Sequence, residues 1–227
     1  MKVLYFFTCL TVLVACDAGP DGSGQAVTAT DTNAALTDPD PRNEGADLQS
    51  IDTPEAYLAT ALLAAPEASR AGAKVIGYNA AGELVTLREG TNEFICLADD
   101  PSKDGFSAAC YHKSLEPFMA RGRELRAEGK SNQEIDALRE QEVKSGKLTM
   151  GDTGSTLHVY SGPEARYDPA TGEVAEASYR YVVYMPYATA ASTGLPESPV
   201  APNHPWIMDP GTYRAHIMIS PRKGDGE

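Results

Sequence analysis

The spacing of apolar residues beyond Thr53 predicts a helix followed by a hairpin. Thr53 and Pro54 are typical of a helix start, and apolar residues recur at helical spacing over 58–65. Two segments rich in β-branched and apolar residues, 73–79 and 83–89, flank a short Ala-Ala-Gly turn. This arrangement predicts two antiparallel strands joined by a tight connection.

The middle of the chain predicts a pair of helices. An apolar stripe from Leu115 to Leu125 is surrounded by charged residues, which is the pattern of an amphipathic helix. Ser131 and Glu134 then match a capping box and predict a second helix that ends at about Ser145. The apolar stripe of this second helix is thin, which favours a surface position.

Strand candidates lie on both sides of the helix pair. Residues 93–98 and 108–112 precede the pair, and residues 179–187 and 215–220 follow it. The segment 179–187 (YRYVVYMPY) is the strongest of these because it is rich in Tyr and Val. Strands around a helical pair predict a single α+β domain with a mainly antiparallel sheet.

The first residues have the pattern of an export signal. Lys2 supplies a positive start, and residues 3–15 form a run of 13 uncharged residues, too short to span a membrane comfortably. The run ends in Leu13–Cys16 (LVAC), which resembles the lipobox of bacterial lipoproteins. That resemblance implies removal of a signal peptide, 1–15, and attachment of a diacylglycerol to the Cys16 thiol. The alternatives are plain secretion and an uncleaved anchor.

A lipidated Cys16 would place the protein at the cell envelope. Two or three acyl chains hold a protein stably on a membrane, whereas one chain holds it only marginally. The membrane is therefore the expected partner, with the domain facing the periplasm or the exterior. Asp17 follows Cys16, and resemblance to enteric lipoproteins favours inner-membrane retention. Because that rule differs between bacterial groups, inner and outer membrane both stay open.

Composition separates a tether, 16–53, from a folded domain, 54–227. Residues 17–53 carry eight acidic residues against Arg42 and contain no aromatic residue. Such a segment buries too little apolar surface to order itself, which predicts a disordered acidic tether. The remaining residues are numerous enough for one domain of ordinary size.

The overall charge excludes one class of partner. The chain has 19 Lys and Arg against 32 Asp and Glu, giving a net charge of −13. Neutralisation of nucleic-acid phosphates needs clustered Lys and Arg, so a nucleic-acid partner is not expected. The sequence indicates no particular protein or small-molecule partner.

The cysteines predict one disulfide. Cys9 would leave with the signal peptide and Cys16 would carry the lipid, so Cys96 and Cys110 remain. An even remainder in an exported protein favours a disulfide, closing a loop of about 15 residues. A metal or redox pair is the alternative, although no C-x-x-C spacing is present.

Motifs of known chemistry are incomplete in this chain. Asp152–Ser155 spells the aspartic-protease tetrapeptide, but that mechanism needs two copies and the chain has one. Asp100–Gly105 imitates the start of a calcium loop, but Tyr111 stands where a bidentate Glu is required. The histidines have no metal-binding spacing: His112, His158, His204 and His216. We therefore expect no catalytic residue, no metal and no cofactor.

A row of tyrosines allows two interpretations. These residues lie in and after the strongest strand candidate: Tyr179, Tyr181, Tyr184 and Tyr187. Tyr has an apolar ring and a polar tip, so the row could line a ligand groove. More often such a row forms one buried and one solvent-facing side of a sheet, and we favour that interpretation.

Two further segments resemble a family of uncharacterised exported bacterial proteins. They are residues 87–92 (LREGTN), followed by Cys96, and residues 205–212 (PWIMDPGT), followed by 215–218 (AHIM). The likeness covers about residues 55–221 and implies no mechanism. A possible polar cleft at the strand ends would be formed by five residues: Arg88, Asn92, Trp206, Asp209 and His216. In the alternative, Arg88 pairs with a carboxylate and Asn92 caps a turn.

The sequence therefore favours a cell-envelope lipoprotein with a non-enzymatic binding or structural domain. The alternative is an exported hydrolase or metal-dependent enzyme that uses His216 with Asp209 or Arg88. These hypotheses differ in whether titratable groups converge within hydrogen-bond distance.

Overall fold

The computed structural model describes residues 47–221. The predicted signal peptide, Cys16 and most of the predicted tether lie outside the described residues. The helices are α1 (Pro54–Leu63), α2 (Glu67–Arg70), α3 (Glu116–Ala127), α4 (Asn132–Lys144) and α5 (Ala190–Thr193). The strands are β1 (Gln49–Ser50), β2 (Lys74–Tyr78), β3 (Leu84–Arg88), β4 (Phe94–Leu97), β5 (Phe106–His112), β6 (Thr156–Gly162), β7 (Arg166–Tyr167), β8 (Ser178–Tyr184), β9 (Trp206–Met208) and β10 (His216–Ile219).

Eight of the strands form one sheet in the order β3-β2-β4-β5-β6-β8-β10-β9. Its neighbouring strands are antiparallel except for β2 and β4, which are parallel. The short strands β1 and β7 pair separately. The predicted α+β domain with a mainly antiparallel sheet and a helix pair is confirmed.

The sheet has a buried cluster on each of its faces. Cys110 belongs to one cluster and Tyr111 to the other, and successive residues of a strand point to opposite faces. On the Cys110 face, α1 packs with a stripe of small residues that includes Ala56 and Ala61. On the Tyr111 face, α3 contributes Phe118.

The predicted helix starts are confirmed by their capping contacts. Thr53 Oγ1 accepts the Ala56 N–H at 3.1 Å at the start of α1. At the start of α4, Ser131 and Glu134 form the reciprocal capping box. Among the described residues no helix is long and apolar enough to span a membrane.

The strongest strand candidate ends earlier than predicted. The pattern extended to Tyr187, whereas β8 ends at Tyr184. The Ala188 N–H donates to Met185 O, which closes a turn, and Tyr187 has a positive φ of 64°. Pro186 also lacks the N–H that a strand would need.

The predicted domain boundary at residue 54 is wrong. Gln49 and Ser50 pair with β7, and Ile51 is 5% exposed within the cluster beneath α1. The Ile51 N–H donates to Ala165 O at 3.1 Å. Residues just before α1 therefore belong to the folded domain. The sequence did not indicate this because their partners lie more than a hundred residues further along the chain.

Replacement of Ile51 should test this boundary. Ile51→Ala is expected to lower the free energy of unfolding by about 2 kcal/mol, at the lower end of the range for a buried aliphatic side chain. Urea denaturation of the full-length protein measures the change. Asp52→Ala, at an exposed neighbour, is the control and should change stability by less than about 0.5 kcal/mol. Equal stability of both variants would contradict the assignment of Ile51 to the core.

Candidate functional site

The structure does not bring the five residues of the predicted polar cleft together. Arg88 lies on the edge strand β3, with Asn92 just after it, whereas Trp206 begins the opposite edge strand β9. Six strands separate these two edges in the sheet. The expectation of one shared cleft is therefore wrong, because strand order depends on long-range pairing that local motifs do not specify.

Arg88 and Asn92 secure a helix end to the sheet. The Arg88 guanidinium donates to Arg70 O at 2.6 Å and to Ala73 O at 2.7 Å. Asn92 Nδ2 donates to Ser69 O at 2.7 Å. Asn92 thus caps a turn, as the alternative interpretation expected. Arg88 does not pair with a carboxylate as expected there, since its guanidinium donates to backbone carbonyls instead. These contacts give both residues a structural role.

The residues at the other edge are also engaged with scaffold groups. Asp209 Oδ2 lies 3.1 Å from Arg214 Nε, and Arg214 Nη1 lies 2.7 Å from Asp136 Oδ2 on α4. His216 Nδ1–H donates to Arg214 O at 2.8 Å, and the His216 ring contacts that of Tyr184. The pairing of His216 with Asp209 or Arg88 that the enzyme alternative requires is not formed.

The predicted disulfide between Cys96 and Cys110 is confirmed. The two residues are directly opposite each other on β4 and β5, with Cα atoms 4.0 Å apart. Both are fully buried, and Cys110 Sγ lies 3.3 Å from Ala61 O on α1. The bond therefore joins the centre of the sheet beneath α1.

A cluster that the sequence analysis did not single out lies where β5 meets α3. His112 ends β5 and Ser114 lies in the 3-10 turn Lys113–Leu115 that leads into α3. His112 Nδ1 lies 2.8 Å from Ser114 Oγ, and Ser114 Oγ lies 2.7 Å from Ser155 Oγ. Ser155 is buried, and both Ser114 and His112 are partly exposed.

The backbone fixes the direction of these hydrogen bonds. The Ser114 N–H, which can only donate, points to His112 Nδ1 at 3.3 Å, so Nδ1 is an acceptor and carries no proton. Ser114 Oγ–H then donates to Nδ1, and Ser155 Oγ–H donates to Ser114 Oγ. In the neutral ring the proton is on Nε2, and Glu93 Oε2 lies 3.9 Å from that atom. The imidazole therefore accepts from a hydroxyl on one side and lies near a carboxylate on the other, beyond hydrogen-bond distance.

Gly151 allows the loop before β6 to close on Ser114. Gly151 has a φ of +76°, and a Cβ atom there would lie 2.9 Å from Ser114 O and 3.0 Å from Ser114 Oγ. Asp152 follows and accepts the Ser155 N–H at 3.0 Å through its backbone oxygen. The Asp152–Ser155 motif is thus a turn that presents Ser155 to Ser114.

Substitution of Gly151 should measure how tight this closure is. Gly151→Ala is expected to lower the free energy of unfolding by about 2 kcal/mol, from the left-handed backbone and the contact with Ser114. Gly146→Ala is a matched control, since Gly146 has a φ of +73° with no atom within 4 Å of a Cβ, and should cost about 1 kcal/mol. The difference in urea midpoints reports the contact alone. Equal midpoints would contradict a tight approach.

Aromatic rings continue from this cluster across the sheet. The Phe94 ring lies edge-on to those of His112 and His158, at centroid distances of 6.4 and 5.9 Å. His158 in turn lies 5.1 Å from Tyr181. Burial among these rings lowers the pKa of His158, which keeps its imidazole neutral.

The tyrosine row divides between environments. Tyr179 stacks on Tyr160 at 4.5 Å, while Tyr184 is buried in the cluster on the opposite face. Tyr187 lies beyond the strand and is exposed. The four tyrosines therefore do not line one groove. Tyr179 and Tyr184 lie on opposite faces of the sheet, but each packs against a buried cluster, so neither is on the solvent-facing side that the alternative expected.

In the acidic loop after β4, the carboxylates of Asp99 and Asp100 have hydrogen-bond or ion-pair partners nearby in the chain. Asp99 is buried and accepts the Ser107 N–H at 2.8 Å, and burial raises its pKa. Asp100 pairs with Lys103 at 2.7 Å and accepts the Ser102 hydroxyl. Within residues 47–221, no group of three His, Cys, Asp or Glu side chains is placed to hold a metal ion.

Comparisons with protein-family models, with curated proteins and with solved structures gave no match to this chain.

Proposed function

We propose that this protein is a cell-envelope lipoprotein whose α+β domain is a binding or structural module. Cys16 carries the acyl anchor, and the acidic residues that follow it connect the membrane to the folded domain. The domain faces the periplasm or the exterior. The membrane is the partner that this proposal names.

The observation that carries the proposal is the disulfide between Cys96 and Cys110. Disulfides persist in oxidising compartments and are rare in the cytosol. A bond buried in the middle of the sheet supports folding of the domain after export. It therefore agrees with the export signal and lipobox that precede the domain in sequence.

The partners of the predicted cleft residues support a structural role for these residues at the two sheet edges. Arg88 and Asn92 hold backbone carbonyls, and Asp209 is paired with Arg214. Groups that are fully engaged in holding the scaffold are poor candidates for proton transfer.

Mass spectrometry of the mature N-terminus tests the anchor. The protein purified from its native membranes is expected to begin at Cys16 and to carry a diacylglyceryl group. Cys16→Ser should move the protein out of the membrane fraction, whereas Cys9→Ser, the control within the signal, should leave it there. A mature protein that begins elsewhere or lacks the glyceride would overturn the proposal.

Thiol alkylation tests the compartment independently. In intact cells, Cys96 and Cys110 should be protected from alkylation until a reductant is added after denaturation. Alkylation of both residues upon denaturation without reductant would show a reduced pair and contradict export. Density-gradient separation of inner and outer membranes then assigns the anchored protein to one of them.

A further inference from the structure

We infer that Ser114 is a nucleophile, activated by His112, that accepts the acyl group of carboxylic esters. This activity is additional to the proposed function and does not depend on the anchor. It rests on the geometry of four side chains: Glu93, His112, Ser114 and Ser155. Serine is a weak nucleophile until an adjacent base can take its proton, and a base oriented by a third group is the signature of such sites.

The first argument is the assigned direction of the hydrogen bonds. Because His112 Nδ1 accepts the Ser114 N–H, it carries no proton in the neutral ring and is the nitrogen that can take one, and the N–H contact is lost when it does. The Ser114 hydroxyl, 2.8 Å away, therefore gives its proton to a base that is already in position. Ser155 Oγ–H donates to the Ser114 oxygen, which leaves that oxygen one further lone pair for attack.

The second argument is electrostatic. When His112 takes the proton, an imidazolium forms with Glu93 Oε2 3.9 Å from its Nε2. The attraction between these groups is strongest in the charged state, so it stabilises proton transfer more than the resting state. Lys113 Nζ lies 2.7 Å from the same Glu93 oxygen, so Glu93 is shared between the lysine and the imidazole.

The third argument is access. The His112 side chain is 36% exposed, and Ser114 is partly exposed, so the pair lies at the surface of the domain. Phe94 lies edge-on to His112 and offers an apolar ring beside the imidazole. The ligand class that fits is an uncharged ester with an aryl or short alkyl group.

The reaction is acyl transfer followed by hydrolysis. Ser114 Oγ bonds to the ester carbonyl carbon while its proton passes to His112 Nδ1. The bond from that carbon to the alcohol oxygen breaks, and the leaving alcohol takes the proton from His112. Water then attacks the acyl-Ser114 carbon, its proton passes through His112 to Ser114 Oγ, and a carboxylic acid is released. Ser114 and His112 are the catalytic residues, whereas Glu93 and Ser155 are positioning residues.

The test uses the full-length, disulfide-bonded protein with p-nitrophenyl acetate. Peptide mass spectrometry should find the acetyl group on Ser114, and Ser114→Ala should abolish the burst of p-nitrophenol. His112→Ala should lower the acylation rate by about 100-fold, with recovery on addition of free imidazole. Ser155→Ala should lower it by about fivefold, the factor for one neutral hydrogen bond.

The matched control is Ser198→Ala, at an exposed loop serine, which should leave the burst and the rate unchanged. Acetyl groups spread over exposed serines and lysines, or a full burst in Ser114→Ala, would overturn the inference. So would a His112→Ala variant with the wild-type rate.

A second measurement protects the test against loss of folding in these variants. Ser114→Cys keeps a side chain of similar size at the same place, and His112 should convert its thiol to the nucleophilic thiolate. We expect alkylation by iodoacetamide at least about 10-fold faster than in Ser198→Cys. Adding His112→Gln to Ser114→Cys should remove that advantage. Equal rates in Ser114→Cys and Ser198→Cys would show that His112 does not act as a base toward position 114.

Discussion

Replacement of both Cys96 and Cys110 by alanine is expected to lower the free energy of unfolding by about 3 kcal/mol. The bond closes a loop with a sequence separation of 14 residues, and the chain-entropy model gives about 3 kcal/mol for a loop of this size. The contribution comes chiefly from the unfolded chain, whose freedom the bond restricts. Urea denaturation of the oxidised wild type and of the double variant measures it.

Two controls separate the covalent bond from the packing around it. Wild-type protein refolded under reductant should match the double variant within about 1 kcal/mol, because only the small change from thiols to methyl groups then distinguishes the two. Cys110 also contacts α1 near Ala61. In the double variant, α1 should therefore lose hydrogen-exchange protection before the strands of the sheet do. A double variant as stable as the oxidised wild type would contradict a stabilising restriction of the unfolded chain by the bond.

The sequence was most informative where a pattern depends on neighbours in the chain. The spacing of Leu115 and Phe118 and the Ser131–Glu134 box depend on helical contacts three or four residues apart, and these predicted α3 and α4. The disulfide followed from counting cysteines in an exported chain. Such signals are local or compositional, so no knowledge of strand order was needed.

The errors arose where distant segments meet. The tether boundary was placed too late because Ile51 lies in a polar segment, and its partner Ala165 is more than a hundred residues away. The polar cleft failed because similar turn-forming segments around Arg88 and Trp206 lie on opposite edges of the sheet. Local composition indicates where a chain turns, but not which turns become neighbours.

The His112–Ser114 cluster was missed for the same reason. Ser155 is 41 residues from Ser114 in sequence, and the two approach because β5 and β6 are paired in a particular register. The only local signals were a His-x-Ser triplet just before a helix and the Asp-Thr-Gly-Ser turn. Neither has a spacing that distinguishes a reactive serine from a helix cap.

Replacement of Phe118 by alanine is expected to have the largest effect on stability, about 4 kcal/mol, which lies within the range for a buried aromatic ring. Phe118 is 3% exposed, and its ring contacts those of Tyr184 and Tyr213 at centroid distances of 5.8 and 6.3 Å. The Arg139 guanidinium lies over the same ring, 3.9 Å from its centroid. One side chain of α3 therefore contacts α4 and the sheet at once.

The contact with Arg139 should make loss of the Phe118 ring cost more stability than the buried apolar area of the ring alone indicates. Among the described residues, Arg139 Nε is buried without a hydrogen-bond partner, while Nη2 lies 3.6 Å from Asp136 Oδ1 and Nη1 donates to Phe118 O, so the ring face adds to these contacts of the guanidinium. Phe118→Leu keeps most of the apolar volume but removes the ring, and it should cost about 2 kcal/mol, between wild type and alanine. Arg139→Met in the Phe118→Leu background should recover part of this loss, because the cation that has lost its ring face is then gone. Calorimetric or urea unfolding of the wild type, Phe118→Leu, Arg139→Met and the double variant measures the coupling, and strictly additive losses would show that Arg139 and Phe118 stabilise the domain independently.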